Sequence, residues 1–567
     1  MKGLGGYQLA CDATNEAAVQ RLRNAKRREA KPFALMGRDP AVIRRYCALV
    51  DEEEQQLTSA AAPIVLLHAS GPERLPDAVA PGLDTLGFML PTTPLHVLAL
   101  RRMDRPVVMT SGNRSDEPQV TDDDEARARL DGIADWALVH DRRIASRVDD
   151  SVVRVMGGAP RVLRRARGFA PAALQLPAGF EAAPDLLAMG GELKAAFCLL
   201  RDGCAVLSQH QGDLEEAATY DDFRRNLSLY ERLFDHAPRA LAADAHPEYL
   251  ASKLARTRAR DEALPLVEIQ HHHAHVAACL AENVRPLSAA PVLGIVLDGL
   301  GWGDDGTFWG GEFLLADYRR AERLGTFKPV VMPGGTLAMH EPWRNLYAHL
   351  MAEMSWNELT MNFADLELYR YLDGKPRPVL DSMIRNEVNS PQASSCGRLF
   401  DAVAAALGIC RDRQAYEGEA ACRLEALAGA ILRDGSDSLA YPFAIPNLRE
   451  SGLPYVEPLA MWRALLGDLV LETPAATMAA RFHRGLARVV VAMAQQLAHS
   501  DSPNGRRFDT VALSGGCFQN ALLFEEVVHR LEAAGFTVLT HSRVPANDGG
   551  LALGQAAVAA ARLLHQG

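Results

Sequence analysis

PVLGIVLDGLGWGDDGTFWGGEFL, residues 291–314, carries the pattern that decides the fold. An apolar run ends at Asp298-Gly299, a glycine-rich stretch follows, and a second apolar run begins. Short apolar runs bounded by Gly and Asp read as buried strands joined by a tight turn, here expected at Asp298-Gly299. Two other stretches repeat the grammar. DLLAMGGELKAAFCLL (185–200) reads strand, glycine turn, strand, and DTVALSGGCFQNALLFEEVVHRL (509–531) reads strand, Gly-Gly turn, helix. Long helical patterns lie between, among them GRLFDAVAAALG (397–408) and TMAARFHRGLARVVVAMAQQLA (477–498). Strands alternating with helices predict α/β layers. Glycines let the backbone approach a phosphate, and successive N–H groups then bind it. Lys194 adds a point charge to the first turn. Gly299 and Gly301 shape the second, whose Asp298 suits a metal or a phosphate-bound ion. Gly515 and Gly516 open a helix N-terminus suited to a nucleotide. Each turn taken singly reads equally well as a plain backbone corner. Three together, each after an apolar strand, point to a two-lobed nucleotide fold with the ligand between lobes.

VEIQHHHAHVAACLAEN (267–283) places four histidines in five positions. On a helix, residues four apart share a face, so His271 and His275 converge. Imidazoles at that spacing make a bidentate metal clamp. The plain alternative is a helix start with satisfied surface histidines. His272 and His273 point elsewhere, to supporting hydrogen bonds or to solvent. Such a site also needs oxygen donors. Asp298 and Asp548, the latter in VPANDGGLALGQ (544–555) ahead of the final helix, are the candidates, and spacing by itself does not bring them together.

The first region alternates strands and helices too. NEAAVQRLRNAKRR (15–28) sets Val19, Leu22 and Ala25 on one helical face, with Asn15 as cap. KRREAKPFALM (26–36) leaves that helix for a strand. Its Lys26, Arg28 and Lys31 suit a triphosphate, although cations also favour a helix C-terminus for its dipole alone. PVVMTSGN (106–113) is a buried strand running into a polar turn. TSGNRSDEP (110–118) offers Thr110, Ser111 and Asn113, and RVDDSVVR (147–154) adds Ser151. These groups can fix a nucleotide or serve as ordinary loop chemistry. LRRARGFAPAALQLPAGFEAAPD (163–185) turns rich in Pro, Ala and Gly, and the domain boundary is expected there, near residue 175.

The totals set bounds. The chain has 567 residues, more than one ordinary domain, and 48% are hydrophobic, enough for several cores. A net charge of −11 argues against a general nucleic-acid binder. The nine cysteines are scattered and include no CxxC pair, which fits a reducing cytoplasm and excludes a Cys-rich zinc module within this stretch. No apolar run approaches the roughly 20 residues needed to span a bilayer, so no membrane partner is expected.

KGLGGYQLACDA, KRREAKPFALM, MTSGN and DDSVVR resemble the YrdC/Sua-type domain that makes acyl-adenylates. HHHAHVAACLAEN, LDGLGWGDDGTFWGGE, ASSCGRLFDAVAAALG, YEGEAA and SGGCFQN resemble the TsaD-like carbamoyltransferase domain of the ASKHA (actin/Hsp70-like) fold. Together, over almost the whole chain, they resemble the HypF carbamoyltransferases of [NiFe]-hydrogenase maturation. The resemblance implies an α/β chain with a YrdC-like domain over 1–175 and a TsaD-like domain over 184–567, its lobes about 184–290 and 291–567. It implies that ATP, with Mg, and carbamate or carbamoyl phosphate give carbamoyl-adenylate in the first domain. The second then carbamoylates the C-terminal cysteine of HypE, on the way to the cyanide ligands of the hydrogenase. Lys26, Arg28 and Lys31 become the catalytic candidates there. Thr110, Ser111, Asn113, Ser151, Lys194, Gly299, Gly301, Gly515 and Gly516 become nucleotide candidates. Asp401 and Gly418 match positions at the ribose, and Asn520 one near the adenine. His271, His275, Asp298 and Asp548 become ligands of one divalent metal, zinc or iron. The acceptor brings its own thiol, so Cys396 and Cys517 are expected to be small buried residues rather than nucleophiles.

HypF-like chains open with an acylphosphatase domain and a Cys-rich zinc-binding segment. Neither pattern occurs here, so the sequence reads as a short form or a trimmed one that starts inside the YrdC-like domain. The alternatives are an O-carbamoyltransferase for a small-molecule hydroxyl, which places the TsaD-like part first, a tRNA threonylcarbamoylation enzyme, which should be more basic, and a non-catalytic maturation scaffold.

Overall fold

The computed structural model describes residues 1–114, 117–499 and 507–566; Ser115 and Asp116 of the TSGNRSDEP loop lie outside it. The chain packs as two compact units. One holds Met1–Ile269, Val284–Leu287 and His541–Gly567, the other Gln270–Asn283 and Ser288–Thr540.

The first unit contains two sheets. Seven strands form the first, in the order Gln8–Asp12, Val107–Ser111, Ala34–Met36, Thr85–Met89, Ile64–His68, Val152–Met156 and Ala159–Arg164. Asn15 caps the helix Glu16–Lys26 by accepting the N–H of Ala18 at 3.1 Å. Its apolar face, Val19 and Leu22, joins a core with Leu9, Phe33, Leu35 and Val108. Arg27 takes a left-handed conformation (φ 54°) and ends the helix, which leaves Lys26 in the last turn facing inward.

The second sheet runs Leu266–Ile269, Ala240–Asp244, Leu186–Ala188, Cys198–Arg201, Cys204–Leu207 and Leu174–Gln175. Helix Ala217–Leu233 packs Phe223 and Tyr230 edge-on to Phe197. The final helix, Leu551–Gln566, buries Leu551, Leu553, Ala556 and Val558 completely. Its Gln555 takes the N–H of Gly190 at 2.8 Å and donates to the Gly190 carbonyl at 3.1 Å. The two sheets are joined by backbone bonds from His210 to Arg165 and from Val162 to Ser542, and by an Arg147–Asp222 ion pair at 2.9 Å.

In the second unit, Val292–Trp302 lies antiparallel to Phe308–Ala316 and parallel to Thr510–Ser514. Gln392–Ser395, Val330–Val331 and Thr537–Leu539 extend the sheet, with Ala321–Phe327 and Tyr455–Val456 paired beside it. The chain does not turn at Asp298-Gly299. The strand continues to Trp302 with an irregularity between Leu297 and Gly301, and reverses at Gly303–Thr307, where the N–H of Gly303 meets the Thr307 carbonyl at 2.9 Å. The acidic turn sits one step later because Asp305 takes the N–H and hydroxyl of Thr307.

Neither compact unit is a single stretch of chain. Helix His271–Glu282 packs on the second unit's sheet, where a Cβ on Gly294 would stand 2.2 Å from Val276 Cγ2. The final helix packs on the first unit's second sheet, because it is apolar nearly all round and must be covered on several sides.

Candidate active site

In the first unit, Lys26 is fully buried and its ammonium donates to the Ser111 carbonyl at 2.6 Å, the Asn113 carbonyl at 2.6 Å and Asn113 Oδ1 at 2.9 Å. Burial, and then the charge of Arg28, push it down to about 7. Arg28 turns to its own loop, donating to the Lys31 and Pro32 carbonyls and lying over the Phe33 ring. Lys31 is exposed, and its charge helps to hold the Asp149 carboxyl down. Thr110 is buried in its strand, opposite Leu9. Ser111 donates its hydroxyl to Asn113 Oδ1 at 2.6 Å. Ser151 is wholly committed to backbone: it donates to the Arg167 carbonyl at 2.9 Å and accepts the N–H of Ala166 at 2.8 Å. The Gly190-Gly191 turn is held by Gln555. Lys194 follows it in a left-handed conformation (φ 49°), its N–H on Asp213 Oδ1 at 2.8 Å. A Cβ on Gly191 would meet Asp548 Oδ2 at 3.6 Å; Asp548 opens the short 3-10 turn before the final helix.

In the second unit, all four histidines are at most 1% exposed, so none faces solvent as the sequence allowed. Gln270 caps their helix through the N–H of His273 at 2.7 Å. His271 and His275 share a face as expected, and Asp298 meets them from the strand irregularity. Asp298 Oδ2 stands 3.2 Å from His275 Nε2 and 3.6 Å from His271 Nε2. Burial alone would raise this carboxyl. Hydrogen bonding and charge from His271 and His275 outweigh it and hold Asp298 well below the usual range. Asp298 Oδ1 accepts the N–H of Gly516 at 2.9 Å. Three arms of about 2.1 Å at tetrahedral angles place donor atoms about 3.4 Å apart, so two imidazoles and one carboxylate at these spacings fit a divalent metal.

Glycines make the approach possible. A Cβ on Gly301 would stand 2.5 Å from His271 Cδ2 and 2.5 Å from His272 Cε1. One on Gly515 (φ 98°) would meet the Leu297 carbonyl at 2.3 Å. Gly299 faces open space, as does Gly418 (φ 77°), which opens helix Glu419–Asp434. Asp401 is buried against Arg398 Nε at 2.7 Å, and burial raises its carboxyl to about 6. Asn520 caps helix Ala521–Ala533, accepting the N–H of Leu523 at 3.0 Å, and its amide nitrogen lies 3.0 Å from His483 Nε2. Cys396 is buried, and the half-buried Cys517 hydrogen-bonds to it. Sequence reasoning missed Ser514, whose hydroxyl lies 3.2 Å from His275 Nδ1, and Ser395, which donates to the Asp298 and Gly299 carbonyls. An imidazole that binds metal through one nitrogen usually engages the other, so the search for such a partner is the signal that finds Ser514.

Three family profiles match in tandem. Residues 1–166 match the Sua5/YciO/YrdC family, described as Telomere recombination, 181–282 the HypF Kae1-like domain, and 294–555 the second subdomain of the carbamoyltransferase Kae1-like domain. The chain is therefore a mixed α/β protein in which a YrdC-type domain precedes a Kae1-like carbamoyltransferase domain, the fold class expected. It is 47% identical to the carbamoyltransferase HypF of Rhodobacter capsulatus, over 99% of this chain and 71% of that one. It is 41% identical to the carbamoyltransferase HypF2 of Cupriavidus necator, with the same coverage of 99% and 71%. The crystal structure of full-length HypF in its phosphate- and nucleotide-bound form superposes with a TM-score of 0.88 at 36% identity, covering 99% of this chain and 84% of that one. The chain belongs to the HypF family of carbamoyltransferases. No helix among the described residues is long and apolar enough to cross a membrane.

Proposed function

We propose that the chain uses ATP with Mg, and carbamate or carbamoyl phosphate, to build carbamoyl-adenylate, and carbamoylates the C-terminal cysteine of HypE in the cytoplasm during hydrogenase maturation. The observation that carries this reading is the convergence of His271, His275 and Asp298 inside a Kae1-like carbamoyltransferase domain. Carbamate is a poor electrophile, because resonance and charge mask its carbonyl, and adenylation attaches a good leaving group. In the first domain, Lys26, Arg28 and Lys31 are the cations that hold and neutralise the phosphates of ATP, with Thr110, Ser111, Asn113 and Ser151 around them. The buried Lys26 ammonium sits on neutral carbonyl and amide oxygens, so an arriving phosphate oxygen would supply the opposite charge that favours its protonated form.

In the second domain, His271, His275 and Asp298 would hold a zinc or iron ion; Asp548 joins the set on the resemblance alone. When bound, that ion neutralises phosphate charge and polarises the acyl carbonyl. Ser514 orients the His275 ring, and the Gly516 N–H anchors the second oxygen of Asp298, so Oδ2 and Nε2 face one point. Lys194, Gly299, Gly301, Gly515 and Gly516 would line the phosphates, Asp401 and Gly418 the ribose, and Asn520 the adenine; these roles rest on the resemblance. The acceptor cysteine supplies the nucleophile. The test is incubation with ATP, carbamoyl phosphate and HypE, followed by mass spectrometry. A carbamoyl adduct on the terminal cysteine is expected, and an unmodified partner beside a full-length positive control overturns the reading.

A further inference from the structure

His272 is fully buried, with its ring centroid 5.2 Å from that of His271 and 6.4 Å from that of His275. Its hydrogens are set by Gln270. The Gln270 Oε1 accepts the His273 N–H, which is only a donor, and Nε2 donates to the Trp302 carbonyl at 3.0 Å, which is only an acceptor. The same Nε2 faces His272 Nδ1 at 3.1 Å. Nδ1 must therefore accept, and a neutral ring then carries its proton on Nε2. That buried Nε2 has no hydrogen-bond partner among the described residues. A buried donor left unmade is costly, and an acceptor brought beside it recovers that cost. The edge in question faces the strand irregularity: the space vacated by the missing Cβ of Gly301 lies 2.5 Å from Cε1, the carbon bonded to Nε2.

We propose that His272 is a catalytic hydrogen-bond donor whose Nε2–H meets an acyl or phosphoryl oxygen of the adenylate held beside His271, His275 and Asp298. This rests on the transfer reading above. The acceptor thiol gives its proton to solvent, and its sulfur bonds to the carbamoyl carbon. The carbonyl pair moves onto oxygen, then returns as the C–O bond to phosphate breaks and AMP leaves with that pair. A neutral donor aimed at the oxygen that gains charge stabilises this step without having to release a proton itself.

His272→Phe keeps the ring volume and removes the donor; His272→Gln restores an N–H of similar reach. Metal per chain by mass spectrometry, AMP affinity by calorimetry, and kcat and KM for transfer are measured for both, with His271→Ala alongside. His272→Phe is expected to retain its metal and lose about 10²–10³-fold in kcat, with KM within about threefold, and His272→Gln to regain part of it. A roughly tenfold loss of AMP affinity in His272→Phe assigns the oxygen to the phosphoryl group, and unchanged AMP affinity with the kcat loss assigns it to the acyl group. Unchanged kcat and AMP affinity overturn the proposal, as does loss of metal in both variants, which marks a supporting role only. If His271→Ala abolishes transfer while His272→Phe does not, only this inference fails. If His271→Ala leaves transfer intact, the transfer reading itself fails.

Discussion

Lys26 in the first unit and Asp298 in the second are both charges taken out of water, and the protein treats them oppositely. Among the described residues Lys26 donates hydrogen bonds to neutral oxygens, from Ser111 and Asn113, so burial dominates and its ammonium falls to about 7. Asp298 is met by two imidazoles and a backbone N–H, which outweigh its burial and keep it ionised. The lesson is that burial sets the cost of either charge, and the polarity of the partners decides whether the charge is kept. The first arrangement suits a group that exchanges its partners for an arriving phosphate, the second a fixed ligand set.

Breaking the second arrangement should give the largest effect. Asp298→Ala removes a carboxylate that meets both imidazoles, and both bound metal and carbamoyl transfer should fall on the order of 10³-fold, beyond the 10–100-fold typical of outer partners. Metal analysis of the purified variant checks this; full occupancy would end the contrast with Lys26. Gly301→Ala should come next. Its methyl would overlap two imidazole carbons, at a cost of about 1–3 kcal/mol, seen as roughly ten- to hundredfold weaker metal binding in a competition titration. Gly299→Ala, which meets open space, is its control and should bind metal normally. Ser514→Ala frees the His275 ring and should weaken metal binding about tenfold, at the low end of such outer-partner effects.

The smallest effect sharpens the Lys26 side. Its ordinary value is 10.5 and its folded value about 7. Between those values the unfolded chain binds the extra proton, so stability rises with pH across that window. The burial penalty is complete below pH 7 and gone above 10.5. Lys26→Met has no such proton, so the melting temperature of the wild type should gain on that of the variant by a few degrees between pH 7 and 9. Parallel curves in a thermal melt series would show that Lys26 is not held down by burial.

Much of the fold was legible because its signals are local. Val19 and Leu22 share a helical face, Asn15 caps it, and apolar runs of strand length flank glycines, all within a few residues of chain. His271 and His275 were readable for the same reason, since one helical turn fixes their common face. The Asp298 turn was misplaced because a strand that runs through an irregularity and a strand that ends in Asp-Gly share one sequence pattern; pairing with Phe308–Ala316 decides between them. Whether His272 and His273 make supporting hydrogen bonds or face solvent was open in the sequence, and burial decides it, because the strand beneath the helix is itself glycine-lined and lets the helix sink onto it.

The sequence by itself determined the alternation of strands and helices, the i, i+4 imidazole pair, the scattered unpaired cysteines and the family resemblance, because these depend on neighbours along the chain. Only the tertiary structure decided that Lys26 points at the carbonyls of Ser111 and Asn113, that Asp298 reaches the imidazoles, that Ser514 steadies one ring, and that the Trp302 carbonyl holds the Gln270 amide. Each of these joins elements distant in sequence. Their separation is set by how close-packed faces settle against one another, to tenths of an ångström at Gly294 and Gly301, and no local periodicity encodes that.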